Sequence, residues 1–77
     1  MAYEDAVQAM NSAIEDYMSE QGLSRTDMAS RLGMSVQSFY NKTSGKYEWK
    51  WSEVLELSRL TGKSVDALIG LKEVQVG

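Results

Sequence analysis

The stretch from Ser24 to Gly45, reading SRTDMASRLGMSVQSFYNKTSG, limits what this chain can fold into more than any other. Ser24 and Asp27 stand at capping-box spacing, with Asp in place of the usual Glu or Gln, so a helix begins here and runs to about Leu32. Met28, Ala29 and Leu32 face inward, and the small Ala29 lets two helix axes approach closely. Gly33 ends that helix. Ser35 caps a second one that runs to about Thr43 and closes at Ser44-Gly45. Its bulky residues are Val36, Phe39 and Tyr40, of which Phe39 is the best candidate for burial. The pattern is therefore two short helices around the tight link Leu32-Gly33-Met34-Ser35.

The rest of the chain supplies three further helices. Residues 2 to 21 place Tyr3, Ala6, Val7, Met10, Ala13, Ile14, Tyr17 and Met18 at three- and four-residue spacing. Glu4, Asp5, Gln8, Asn11, Glu15, Asp16 and Glu20 occupy the opposite face, and Gly22 is the stop. After Gly45 comes a loop with alternating aromatics, Tyr47, Trp49 and then Trp51. One tryptophan is expected to plug the gap between neighbouring helices, while the other stays partly exposed. A fourth helix runs from about Trp51 to Thr61, with Val54, Leu55, Leu57 and Leu60 on its apolar side and Gly62 after it. Ser64 caps a last short helix, Val65 to about Ile69, ended by Gly70. The five methionines, at 1, 10, 18, 28 and 34, read mostly as core filler. The fold class is all-α, a compact five-helix domain over residues 1–70. Residues 71–77 form a C-terminal tail that is either frayed or a strand contacting a second subunit.

Composition excludes several classes of function. Seventy-seven residues suffice for one domain near the lower size limit for folding without a staple. With no cysteine there is neither a disulfide framework nor a thiolate metal site. With no histidine either, the usual general bases and most transition-metal ligands are missing, so neither catalysis nor a cofactor is expected. Glu15 and Asp16 are adjacent on a helix and diverge. No apolar run approaches the roughly 18 residues a membrane span needs, and the acidic start MAYEDAVQ does not resemble a secretory signal. A cytoplasmic location without membrane contact is the expectation. The net charge of −3 is unevenly spread. Residues 1–24 carry five acids and no base, whereas residues 25–50 carry five bases against Asp27 and Glu48. The local surplus falls on the two short helices and their following loop, where phosphates would meet cations.

Two helices joined by a short glycine turn are what a helix-turn-helix requires. The run LSRTDMASRLGMSVQSFYNKTSGKYEW, followed by SEVLELSRLTGKSVDALI, resembles the lambda-repressor-like helix-turn-helix family. That family includes the phage Cro and CI repressors and the XRE-type bacterial regulators. The resemblance covers residues 23 to 69, and its most telling parts are Met28-Ala29, Leu32-Gly33, Phe39 and Gly45-Lys46. The chain departs from the family at Thr43, where a glutamate is frequent. It also departs in the loop with Trp49 and Trp51, which replaces a commoner basic, proline-containing one.

The resemblance implies that the second short helix enters the DNA major groove. Gln37 and Asn41 would then read bases, since their amides can bond adenine N6 and N7, and Val36 would touch a thymine methyl. Ser24, Arg25, Thr26, Ser35, Ser38, Tyr40, Lys42 and Lys46 are the candidates for backbone contact. For Tyr40, packing against the first helix is an equal alternative. Lys50 is a weaker candidate, and Arg31 reads as solvated helix surface. The implied function is a sequence-specific transcriptional regulator of the phage or mobile-element repressor type, binding double-stranded DNA as a homodimer on a palindromic operator. A competing reading takes the uniformly acidic first helix as a docking face for a basic protein partner, as in an antitoxin.

Overall fold

The computed structural model describes residues 3–70, and the tail call on residues 71–77 and the burial of Met1 lie outside them. The described residues form five helices and no strand: α1 (Tyr3–Gln21), α2 (Arg25–Arg31), α3 (Val36–Thr43), α4 (Trp51–Thr61) and α5 (Val65–Leu68). Side-chain oxygens set three of the starts. The hydroxyls of Ser24, Ser35 and Ser64 accept from the N–H groups of Asp27, Ser38 and Ala67, satisfying donors that the helix itself leaves free. Asp27 completes the capping box by accepting from the Ser24 N–H at 3.1 Å. Because α4 follows Lys50, which has no oxygen to offer, Glu53 alone closes its first turn, accepting from the Lys50 N–H at 2.8 Å.

Helices α1, α2 and α3 end by the same device. After α2, the Gly33 N–H bonds Ser30 O at 3.0 Å and the Met34 N–H bonds Ala29 O at 3.0 Å. The equivalent pairs after α3 are Gly45 to Lys42 and Lys46 to Asn41, and after α1 Gly22 to Ser19 and Leu23 to Met18. This two-bond closure needs a left-handed residue, which is why Gly33 sits at φ 72°. Gly70 is held more tightly still. At φ 82° it lies where an added Cβ would come within 2.9 Å of Ala9 Cβ, so the end of α5 rests on α1 with no room for a side chain.

The core draws on every helix. Met10 and Ile14 of α1, Met28 of α2, Phe39 of α3, Leu57 of α4 and Leu68 of α5 are fully buried. Helix α1 spans the others and contacts α3, α4 and α5, while α2 packs on α3. Trp49 is buried and Trp51 is 65% exposed, which settles which of the two plugs the gap. Leu55 departs from expectation. The buried stripe of α4 runs through Val54 and Leu57, and Leu55 points away from it, 45% exposed. Tyr3 is likewise exposed rather than inward, although its hydroxyl accepts the Trp49 backbone N–H at 2.9 Å. No helix among the described residues is long and apolar enough to cross a membrane.

Phe39 is the largest side chain with no exposure at all. Phe39→Ala is expected to cost about 3–5 kcal/mol, comparable with the whole stability of so small a domain. Urea unfolding followed by circular dichroism should show a variant largely unfolded in buffer, whereas Val36→Ala should shift the midpoint little.

Candidate nucleic-acid interface

Burial of Phe39 fixes how α3 is turned. With Phe39 inward, Val36, Gln37 and Tyr40 lie exposed along the outer side, with Asn41 partly exposed beside them. Gln37 and Asn41 stand one turn apart and bond each other, Gln37 Nε2 donating to Asn41 Oδ1 at 3.1 Å. Among the described residues, Gln37 Oε1 and the Asn41 amide nitrogen carry no other bond. If the two amides are turned over together, the pair still shows one oxygen and one NH2 group outward. One free acceptor and one free donor are the two groups that the N6 and N7 edge of adenine calls for.

The hydroxyl groups around the two helix starts are mostly engaged in capping. Ser24 caps α2, and Thr26 is exposed one residue inside that helix. Ser35 caps α3 and also donates to the Ser38 hydroxyl at 3.1 Å. Asp27 has its carboxyl held below its usual range, chiefly by the Ser24 N–H and then by the Ser24 hydroxyl. Tyr40 is 59% exposed and walls a cleft of about 210 Å³ against Asn11, Ile14 and Glu15 of α1. Asn11 closes the cleft floor by donating to Thr43 O at 2.7 Å, tying the end of α3 to α1.

The cations behave differently from what their position in the sequence implies. Lys42 was expected on a phosphate, but it is buried. Its ammonium bonds Glu53 Oε1 at 2.7 Å and Glu48 O at 3.3 Å, so it is removed from the backbone-contact set. Its place three residues after Phe39 puts it on the inward side of α3, a signal the spacing already carried. Arg25 remains half exposed, but it pairs with Glu15 at 3.2 Å and lies 5.8 Å from the centre of the Phe39 ring. Arg31 donates to the Tyr17 hydroxyl at 3.1 Å. Lys46 lies exposed beside the Tyr47 ring, and Lys50 is exposed just before α4. Neither lysine pairs with a carboxylate among the described residues. Of the basic surplus in this region, two charges are thus neutralised within the fold, by Glu53 and Glu15.

Comparison of the chain with protein-family models, curated proteins and solved structures finds no match.

Glu53 is held in two opposed ways. Burial pushes its carboxyl up, but the hydrogen bonds from the Lys42 ammonium and the Lys50 N–H, with both charges, bring it below its usual value near 4.5. The folded value lies below the unfolded one. The pair therefore stabilises the fold fully above about pH 4.5, and that contribution is lost as pH falls through the folded value. Glu53→Gln should flatten the decline of stability below pH 4.5, measured as urea midpoints across the acid range. Lys42→Ala should cost about 2–3 kcal/mol at neutral pH by leaving Glu53 unpaired, and Lys42→Met less when combined with Glu53→Leu.

Proposed function

We propose that this chain is a sequence-specific DNA-binding regulator of the lambda-repressor-like helix-turn-helix type, with α3 as its reading helix. The observation that carries the reading is the joined Gln37–Asn41 amide pair on the outer side of a helix anchored by a buried phenylalanine. A pair already bonded to each other loses less side-chain freedom on meeting a base than two free amides would. Val36, 46% exposed at the first turn of α3, offers an apolar contact for a thymine methyl. The exposed starts of α2 and α3 offer Ser24, Thr26, Ser35 and Ser38, with backbone N–H groups, to phosphate oxygens. Lys46, and to a lesser degree Lys50 and Arg25, supply the charge.

The small number of free cations has a consequence for salt dependence. With Lys42 and Arg25 internally paired, about two to three phosphates are neutralised per protomer, giving log K against log salt a slope of about −2 to −3 for one half-site. One reading helix covers about four base pairs, so a palindromic site read by two copies is part of the proposal. A second reading is favoured by a different observation: Glu4, Asp5, Asp16 and Glu20 are all exposed on α1 and none is in an ion pair among the described residues. That face suits a basic protein partner, as an antitoxin would present.

Selection from a random pool of duplex DNA by the chain should enrich a palindromic consensus; no enrichment at moderate salt would refute the proposal. Gln37→Ala should relax preference at one base pair, worth about 1–3 kcal/mol, and leave the others intact. Lys46→Ala should weaken all sequences alike and make the salt slope shallower by about one. Equal losses on operator and random DNA for Gln37→Ala would remove it from the base readers. Recovery of a basic protein with the chain, without any DNA selectivity, would favour the second reading.

A further inference from the structure

Phe39 fixes how α3 is turned about its axis, but one buried anchor does not fix how the helix is tilted. Tilt needs a second point, and α3 is only 8 residues long. Thr43 provides it, four residues beyond Phe39 and so about 6 Å further along the axis. Asn11 Nδ2, on α1, donates to Thr43 O at 2.7 Å. That carbonyl lies in the last turn, where the helix itself supplies no donor. Among the described residues this is the one hydrogen bond that joins α1 to α3.

The bond crosses an open seam. On one side of Asn11 lies the cleft of about 210 Å³ walled by Ile14, Glu15 and Tyr40. On the other lies a cleft of about 300 Å³ walled by Tyr3, Glu4 and Val7. Asn11, Thr43 and Ser44 border both, so the end of α3 is wedged on neither flank and has room to swing about Phe39. The bond is also a poor stabiliser. Asn11 Oδ1 is buried with no partner among the described residues, and an orphaned acceptor costs about as much as one hydrogen bond returns. Turning the amide over would set Oδ1 against Thr43 O, oxygen to oxygen, so the orphan stays. What this residue supplies is position more than stability.

We infer that Asn11 is a positioning residue for the reading helix: its bond to Thr43 O sets the tilt of α3 and thereby where the Gln37–Asn41 pair stands. If the end of α3 moved by about 1.5 Å into either cleft, the helix would tilt by about 15° around Phe39. Across the width of the helix, that tilt carries the outer amides about 2 Å from their places. A hydrogen-bonding site tolerates roughly 0.5 Å. Asn11 therefore governs base selectivity from the seam, without itself facing a base. The effect on selectivity rests on the DNA-binding reading, whereas the control of tilt does not.

Residual dipolar couplings of the labelled, DNA-free chain report the angle between α1 and α3. In Asn11→Ala that angle should change by about 10° or more. Asn11→Asp at about pH 8, where the carboxylate is ionised, has the same shape without the NH2 group and should do likewise. Both variants should keep the circular dichroism of the parent and nearly its urea midpoint. On a duplex selected by the parent, each should lose at least about tenfold in affinity, with random duplex held as tightly as before. A parent-like angle in both variants overturns the inference. So does an altered angle with equal losses on selected and random duplex, since tilt then has no part in selectivity. Variants that unfold also overturn it, by making the bond a general stabiliser. If the parent selects no duplex from a random pool, the DNA reading fails separately, and the measured angle still decides whether Asn11 sets the tilt of α3.

Discussion

The seat of Phe39 governs the rest of the structure. Its ring has no exposure, and the residues that meet the same core come from all five helices, so α3 has one favourable rotation about its own axis. That rotation sends Gln37 and Asn41 outward and Lys42 inward. The same placement lets Arg25, at the start of α2, lie over the ring while holding Glu15 on α1. Burial of one side chain thereby sets which groups the surface presents.

Charge is the second constraint, and it works against the simplest account of a nucleic-acid binder. The chain is acidic overall, and its basic region is partly consumed by the fold. Lys42 holds the loop after α3 to α4 through Glu48 O and Glu53, a structural task that leaves no charge for a phosphate. What remains on the outer side of α3 is hydrogen-bonding capacity rather than positive potential. Affinity built this way depends on shape and on amide contacts, with a shallower response to salt than a lysine-rich surface would give.

Much of the fold was legible because local rules and the core agree. Ser24, Ser35 and Ser64 cap the helices they were expected to cap, and Gly22, Gly33 and Gly45 close the helices before them. Leu55 was misplaced because an apolar residue beside a buried stripe looks the same in sequence as one within it; only the neighbouring helices decide. Lys42 was misplaced for a related reason: a lysine is assigned to solvent by type, although its spacing from Phe39 points inward. The Gln37–Asn41 bond follows from their four-residue separation on a helix. The link from Asn11 to Thr43 O, across 32 positions, had no local signal at all. The tertiary contacts that decide which surface residues are free are the part that spacing does not encode.

The central claim is that the α3 amides meet a base edge. Nitrogen-resolved NMR of the side-chain NH2 groups tests it most directly, with a selected duplex added to the labelled chain. The account predicts that the Gln37 and Asn41 signals move strongly and become protected from solvent exchange, while those of Gln8 and Gln21 on α1 stay in place. Unmoved Gln37 and Asn41 signals on a duplex that does bind, or shifts confined to Gln8 and its neighbours, would contradict it.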